Sequence, residues 1–148
     1  MNSGEPALDA WLREQARGAQ ARRVARTFVW CADSGEVVAY YSLVGHQVLR
    51  DEVPRALGRG SPITIPAVLL ARLALDRRLH GAGLGAVLFS DALGRVVAAS
   101  QLVAARLVVV DAISEGAAMF YEHFGFRRLP ATTRLFREIS DIANDLGD

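Results

Sequence analysis

A short turn of the sequence concentrates residues that could bind an anion. An apolar run ends in arginines, including Arg78, and Gly81, Gly83 and Gly85 follow at alternate positions. Glycines leave backbone N–H groups uncovered, and from Leu84 onward apolar residues recur with the helical period. The N-terminus of a helix carries unpaired N–H groups and a partial positive charge. The turn is therefore predicted to bind phosphate oxygens, with Arg78 adding a full charge.

This glycine pattern matches neither of two common nucleotide-binding motifs. It is not Gly-x-Gly-x-x-Gly, and the Lys-Ser or Lys-Thr pair that ends a phosphate loop is absent from the sequence. The simpler alternative is a strand-to-helix turn in which glycine only makes the turn tight. On these residues alone, both interpretations stay open.

The histidines and the single cysteine indicate little further chemistry. His46, His80 and His123 are scattered without the spacing of a metal pair, so no metal site is predicted. His80 lies inside the glycine turn, where it could contact a bound ligand. Cys31 cannot form an internal disulfide, and its place in an alternating run favours a small buried apolar residue over a nucleophile.

Length and composition exclude several classes of protein. A chain of 148 residues, 51% of them apolar, is expected to fold as one domain over residues 1–148 and not to be disordered. The longest uncharged apolar runs are too short to cross a bilayer, and residues 1–9 lack the apolar core of a signal peptide, so a cytoplasmic protein without a membrane partner is expected. A net charge of +1 does not indicate nucleic acid. Five arginines still gather near the N-terminus, as a basic edge for RNA or a solvated helix face: Arg13, Arg17, Arg22, Arg23 and Arg26.

Periodicity and turn residues predict the elements that must position these groups. The first half of the chain is predicted to hold an amphipathic helix at 6–23 with Trp11 on its buried face, an antiparallel hairpin of strands 26–32 and 37–44, and a strand at 67–75 covered on both faces. Residues 45–66, rich in proline and glycine, are predicted to hold a short helix near 51–57 and to border the mouth of a binding site.

The second half continues with a helix from Leu84, a strand at 106–110 and a helix at 115–123 with Ser114 as its cap and Gly125 at its end. Strands at 126–129 and 132–139 and one or two helical turns complete the chain. A strand, helix, strand sequence implies that 67–75 and 106–110 are parallel neighbours.

Two motifs in register identify the chain as resembling one family. Arg78-x-x-Gly81-x-Gly83 resembles the signature of the GCN5-related N-acetyltransferases, and Phe-Tyr-Glu-His-Phe-Gly-Phe at 120–126 resembles that family's Tyr-x-x-x-Gly-Phe. The order of elements is similar from Pro6 to about Ile139. The resemblance implies an α/β (α+β) fold, with a mixed, mostly antiparallel sheet, a central parallel strand pair and flanking helices.

The resemblance also implies a cosubstrate and roles for individual residues. Acetyl-coenzyme A would place its pyrophosphate in the glycine turn and its pantetheine arm along the main chain at the end of the strand before it. Tyr121 matches the family tyrosine that donates a proton to the coenzyme A sulfur, although by itself it would equally fit a core tyrosine whose hydroxyl reaches water. The implied cofactor-binding residues are Leu73, Ala74, Leu75, Arg78, His80, Gly81, Ala82, Gly83, Leu84 and Gly85.

Four further segments resemble the branch of this family that serves as toxins of type II toxin–antitoxin modules: 4–8, 26–29, 69–74 and 76–78. The resemblance implies acetylation of the amino group of aminoacyl-tRNA, a ribbon-helix-helix antitoxin and a homodimer. Relatives carry a first strand ahead of segment 4–8 that is expected to be missing here, which would expose its neighbour. Two alternatives remain: an acetyltransferase for a small-molecule or protein amine, and a non-catalytic module that binds coenzyme A.

Three charged residues in or directly after apolar strands have open roles. Arg72 either reaches the edge of the sheet with its head group or points into the active-site groove, where it could contact an RNA backbone. Asp76 and Asp111 could orient the substrate amine, or could simply end their strands.

Overall fold

Residues 1–147 are described by the structure, a computed structural model, as a mixed sheet with flanking helices. The strands are β1 (Arg26–Cys31), β2 (Val37–Leu49), β3 (Thr64–Leu75), β4 (Leu107–Asp111), β5 (Arg127–Arg128) and β6 (Arg134–Glu138). The helices are α1 (Pro6–Glu14), α2 (Ala16–Ala21), α3 (Arg55–Gly58), α4 (Leu84–Ser100), α5 (Glu115–His123) and α6 (Ile139–Gly147), with short 3-10 helices at Arg50–Glu52 and Arg77–Leu79.

The strands lie in the order β1-β2-β3-β4-β6-β5. β1 pairs antiparallel with β2, and β6 pairs antiparallel with both β4 and β5. β3 and β4 form the parallel pair that a strand, helix, strand connection requires. The predicted mixed, mostly antiparallel sheet with a central parallel pair is therefore confirmed.

The chain packs as two compact units, and the first contains Met1–Val44 and Leu70–Leu93. Its core joins β2, through Ala39, Tyr40 and Tyr41, to the first turns of α4, through Leu88 and Phe89, all of them buried. The Tyr41 ring stacks on Phe28 at 5.3 Å between centroids. Its hydroxyl donates a hydrogen bond of 2.6 Å to Asp91, so the buried phenol has a polar partner.

The second unit contains Gly45–Leu69 and the chain from Gly94 onward. Leu107–Val110 of β4 is fully buried, which explains why this strand is a continuous apolar run and not an alternating one. The Arg106 N–H donates to the Pro66 carbonyl at 2.8 Å at the start of β4. The core of this unit consists of Val48, Val53, Leu57, Ile65, Ala67, Leu107, Val109, Leu129 and Phe136.

The helix ends that depend on a few adjacent residues were predicted correctly. α4 begins at Leu84, directly after the glycines, and α5 spans 115–123 as expected. The Ser114 hydroxyl accepts from the Ala117 N–H at 3.1 Å, and Gly125 has a φ of +83°, so both capping predictions are confirmed.

Predictions that depended on longer patterns were wrong in several places. The helix over 6–23 is two helices, because Gln15 has a φ of −118° and ends α1. The helix near 51–57 is also divided, into the 3-10 helix and α3, since Pro54 between them lacks an N–H group. β5 and β6 are shorter than 126–129 and 132–139, and α6 is longer than one or two turns.

Burial of the strands also differs from the sequence predictions. β2 and β3 both extend into 45–66, so Pro66 lies inside β3, where its carbonyl still accepts a hydrogen bond. Within 67–75 Ala67, Leu70 and Ala74 are buried and the other residues are half-buried, so both faces of this strand are covered, but less completely than predicted. Cys31 is exposed rather than buried, because it ends β1 at the edge of the sheet.

Among residues 1–147, no helix is both long enough and apolar enough to cross a membrane.

Candidate active site

The glycine turn connects β3 to α4 and has an open backbone geometry. Gly81 and Gly83 have φ values of +83° and +77°, in the left-handed region that side chains disfavour. A Cβ atom at either position would meet no atom within 4 Å, so backbone conformation and not crowding requires glycine here. The turn therefore presents main-chain groups to open space directly before the first turn of α4.

Arg78 is held at the start of this turn by two carboxylates. Its Nε donates to Asp76 at 2.9 Å, and its Nη2 donates to Glu36 at 3.0 Å and to Asp76 at 3.2 Å. These bonds hold the pKa of Asp76 well below its ordinary value and raise the pKa of Arg78. Because the Arg78 side chain is still 63% exposed, a phosphate would reach it from solvent in competition with Glu36.

Asp76 acts here as a support for the loop. Its carboxylate is buried and accepts hydrogen bonds from the backbone N–H groups of Asn2 and Arg78 as well as from the Arg78 guanidinium. An aspartate that caps the 3-10 helix in this way has its oxygens engaged by the protein. This geometry favours the strand-ending role over contact with a substrate amine.

His80 connects the turn to the end of β3. Its Nε2 lies 2.7 Å from the Leu75 carbonyl, and since a carbonyl only accepts, the ring nitrogen donates. The imidazole thus fixes one main-chain group of the segment 73–75 from which the turn departs.

Tyr121 lies on α5 with its ring against Phe120 and Phe126, at centroid distances of 5.6 and 6.3 Å. Burial raises the pKa of its phenol to about 12, and the negative charge of Asp111 adds to the effect. The hydroxyl therefore stays protonated at ordinary pH, as a proton donor must.

A polar cluster around Arg134 was missed by the sequence analysis. Its Nε and Nη2 each donate to an Asp111 oxygen at 2.9 Å, and its Nη1 lies 2.8 Å from His46 Nε2. Arg134 can only donate, so His46 Nε2 accepts and the ring proton is on Nδ1. Burial and the Arg134 charge lower the pKa of His46, while hydrogen bonds from Arg134 lower the pKa of Asp111. No local signal connects the three residues, which come from β2, β4 and β6.

Within the described part of the chain, no three histidine, cysteine or acidic side chains converge on a point where a metal ion could bind.

Comparison with characterised proteins settles the family. No protein-family model matches the chain. A tRNA-acetylating toxin from Mycobacterium tuberculosis is 40% identical over 129 residues, which are 87% of this chain and 77% of the relative. The chain belongs to the GCN5-related N-acetyltransferase toxins. A probable toxin TacT from Sinorhizobium fredii is 26% identical to this acetyltransferase-family chain over 133 residues, 82% of the chain and 74% of the relative.

Solved structures of similar proteins agree with this assignment. A tyrosine-to-phenylalanine mutant of KacT superimposes with a TM-score of 0.92 at 27% identity, over 98% of this toxin-family chain and 89% of KacT. AtaT complexed with acetyl-methionyl-tRNAfMet gives a TM-score of 0.90 at 31% identity, over 97% and 88% of the two chains. An AtaT mutant bound to acetyl-CoA and to the C-terminus of the antitoxin AtaR gives a TM-score of 0.85 at 30% identity, over 99% of this chain and 88% of the AtaT chain.

The predicted site residues of this acetyltransferase-family member fall on two stretches of chain. The cofactor residues lie on one continuous strand, turn and helix segment of the first unit, whereas Tyr121 lies on α5 in the second unit. Their roles remain predictions. The cofactor segment contains Leu73, Ala74, Leu75, Arg78, His80, Gly81, Ala82, Gly83, Leu84 and Gly85.

Proposed function

We propose that this protein transfers the acetyl group of acetyl-coenzyme A to the amino group of aminoacyl-tRNA, and that it acts as the translation-inhibiting toxin of a type II toxin–antitoxin module. The observation that carries the proposal is the 40% identity to a tRNA-acetylating toxin over most of both chains. The likeness to AtaT complexed with acetyl-methionyl-tRNAfMet supports charged tRNA as the substrate class.

Acetyl transfer depends mainly on how the protein positions the thioester and the amine. The neutral amine attacks the thioester carbonyl, the carbonyl oxygen must be held by a donor, and the departing thiolate needs a proton. Main-chain groups of Leu73, Ala74 and Leu75 would pair with the pantetheine arm as an added strand does, and one N–H would polarise the thioester oxygen. The open turn from Arg78 to Gly85 would bind the pyrophosphate. Its left-handed glycines, the start of α4 at Leu84 and the exposed guanidinium support that role.

Tyr121 is the proposed proton donor to the coenzyme A sulfur. A phenol with a pKa of about 12 is fully protonated at neutral pH, which supports its use as an acid. Nothing else in this scheme calls for a metal, and the amine itself supplies the nucleophile.

The partners follow from the same family. We expect the chain to act as one domain in the cytoplasm, as a homodimer, and to be silenced by a ribbon-helix-helix antitoxin. Structures of the related KacTA complex with DNA and of AtaT bound to AtaR support an antitoxin partner.

Transfer from labelled acetyl-coenzyme A tests the proposal. Purified protein is incubated with a pool of charged tRNA, with the same pool after deacylation, and with free amino acids. Label on charged tRNA alone supports the proposed function. Label on free amino acids would assign the protein to the small-molecule alternative, and cofactor binding without transfer to any of the three would assign it to the non-catalytic alternative.

A further inference from the structure

Arg72 lies in the central strand β3 with its guanidinium stacked on an aromatic ring. Its Cζ lies 3.8 Å from the centroid of the Trp11 ring on α1. The other neighbour of that indole is Tyr40, whose ring is stacked at 6.1 Å with an interplanar angle of 10°. The Tyr40 hydroxyl is anchored by donating to the Leu8 carbonyl at 2.6 Å. The guanidinium is therefore held over a ring that is itself packed against an anchored tyrosine.

This cation lacks an acidic partner. Among residues 1–147, Arg72 forms no ion pair with a carboxylate, and its charge interacts only with Tyr40 and Trp11. Half-burial lowers the pKa of Arg72, but a guanidinium still keeps its charge. Several other arginines do contact a carboxylate, among them Arg78, Arg106, Arg128, Arg134 and Arg137.

The donors of Arg72 are not closed off from solvent. No buried side-chain nitrogen or oxygen in the described chain lacks a hydrogen-bond partner, so the N–H groups of Arg72 are accessible. The guanidinium lies over Trp11, and its N–H groups form no hydrogen bond within residues 1–147. The edge of a guanidinium is the part that forms paired hydrogen bonds with a phosphate. A partly desolvated cation without a protein anion is costly to keep unless a ligand supplies the anion.

The position of Arg72 selects between two sources of phosphate. It directly precedes the segment 73–75 proposed for the pantetheine arm, whereas Arg78 and the glycine turn follow that segment. The phosphates of coenzyme A are thus expected on the opposite side of the pantetheine segment from Arg72. A phosphate that reaches Arg72 would then come from the second substrate.

We propose that Arg72, held flat by Trp11, binds a backbone phosphate of the acceptor end of the substrate tRNA. This inference rests on the proposed function, because it takes the second substrate to be charged tRNA. Arg72 is then a specificity residue that favours a nucleic acid over a free amine.

Binding of the tRNA pool at several salt concentrations tests the inference, with Arg72→Gln compared with wild type. Loss of one phosphate contact should reduce the slope of log K against log salt by about 1 and weaken binding at low salt several-fold, about 3- to 10-fold. Affinity for acetyl-coenzyme A should change less than about twofold, since its phosphates bind elsewhere.

Two variants serve as controls. Arg127→Gln removes the same charge from an arginine that also lies over a ring, 4.8 Å from the Phe136 centroid, on the edge strand β5, and it should leave the salt slope unchanged. Arg72→Lys keeps the charge and should keep the slope while losing the paired hydrogen bonds. It also keeps the test decisive if Arg72→Gln folds poorly in thermal melts.

The inference would be overturned if folded Arg72→Gln had the same slope of log K against log salt as wild type. It would also be overturned if Arg72→Lys, which keeps the charge, reduced that slope as much as Arg72→Gln does. Loss of acetyl-coenzyme A affinity with intact tRNA binding would assign the phosphate to the cofactor and also overturn it. In each of these cases a wild-type protein that acetylates charged tRNA leaves the proposed function standing, whereas a wild type that does not would refute the function itself.

Discussion

Arg134 and Asp111 lie directly opposite each other on β6 and β4 and share two hydrogen bonds of 2.9 Å. The same guanidinium donates to His46 from β2, so one side chain fixes both the charge of a carboxylate and the tautomer of an imidazole. Burial is the main cause of the raised pKa of the Tyr121 phenol, and the negative charge of Asp111 adds to it. The cluster therefore contributes, through Asp111, to the electrostatics around the proposed acid.

The cluster makes stability depend on pH. Burial and Arg134 place the pKa of folded His46 below 6.5, so the unfolded chain binds a proton more readily. The stability contributed by neutral His46 is complete above pH 6.5 and is lost as the pH falls through the lower, folded pKa. Arg134→Gln should raise the pKa of His46 toward its ordinary value and reduce the free energy of unfolding at pH 7 by about 1 kcal/mol.

Imidazole titration by NMR and urea denaturation measure these two effects. Arg127→Gln on the neighbouring strand β5 is the control for the titration, because it removes the same charge and should leave the pKa of His46 unchanged. A His46 pKa that is equally depressed in Arg134→Gln would show that burial alone sets it and would contradict this account of the cluster.

Two glycine substitutions should have opposite effects. Gly83→Ala forces a side chain into a φ of +77° and should cost about 1 kcal/mol of stability and weaken acetyl-coenzyme A binding. Gly94→Ala, inside α4 with no atom within 4 Å of the added Cβ, should stabilise the protein by about 0.5–1 kcal/mol without affecting cofactor binding. Thermal melts and cofactor titrations check both variants, and a destabilised Gly94→Ala would show that its surroundings are tighter than described.

Glu36 is expected to compete with the cofactor for Arg78. Glu36→Gln removes a partly exposed carboxylate from the guanidinium and should tighten acetyl-coenzyme A binding about 2- to 3-fold, in line with the small energy of exposed ion pairs. Isothermal titration at low salt measures the change. Weaker binding in this variant would mean that Glu36 positions Arg78 for the phosphate and does not compete with it.

Tyr121→Phe separates catalysis from binding. Loss of the proposed general acid should reduce turnover about 100-fold or more while cofactor affinity stays within about twofold. Because the pKa of Tyr121 is about 12, wild-type turnover should not fall between pH 9 and pH 10.5 through loss of this proton, as it would with an ordinary phenol. Unchanged turnover in Tyr121→Phe would refute the assigned role.

Features with local causes were predictable from the sequence. The start of α4 at Leu84, the cap at Ser114 and the helix end at Gly125 each depend on a few adjacent residues, and all three are confirmed. The parallel neighbours β3 and β4 also followed from element order, because a crossover helix leaves few alternatives.

The remaining features depend on contacts between distant residues. Gln15 interrupts a pattern that is periodic on both sides, so periodicity alone could not locate the break between α1 and α2. Cys31 alternates like a buried residue but ends a strand at the sheet edge. The sequence left two roles open for Arg72, because nothing near it in the chain indicates that Trp11 lies against its guanidinium. Each outcome required knowledge of which elements pack together.

The most direct test of aminoacyl-tRNA acetylation by this protein is chemical identification of the product. After reaction of wild-type protein with acetyl-coenzyme A and charged tRNA, the ester bond to the tRNA is cleaved with mild base and the released amino acids are analysed by mass spectrometry. The proposed function predicts amino acids that carry one acetyl group on the α-nitrogen, present only when charged tRNA was supplied and strongly reduced with Tyr121→Phe. Free amino acids without the acetyl group, from a protein shown to bind acetyl-coenzyme A, would contradict it.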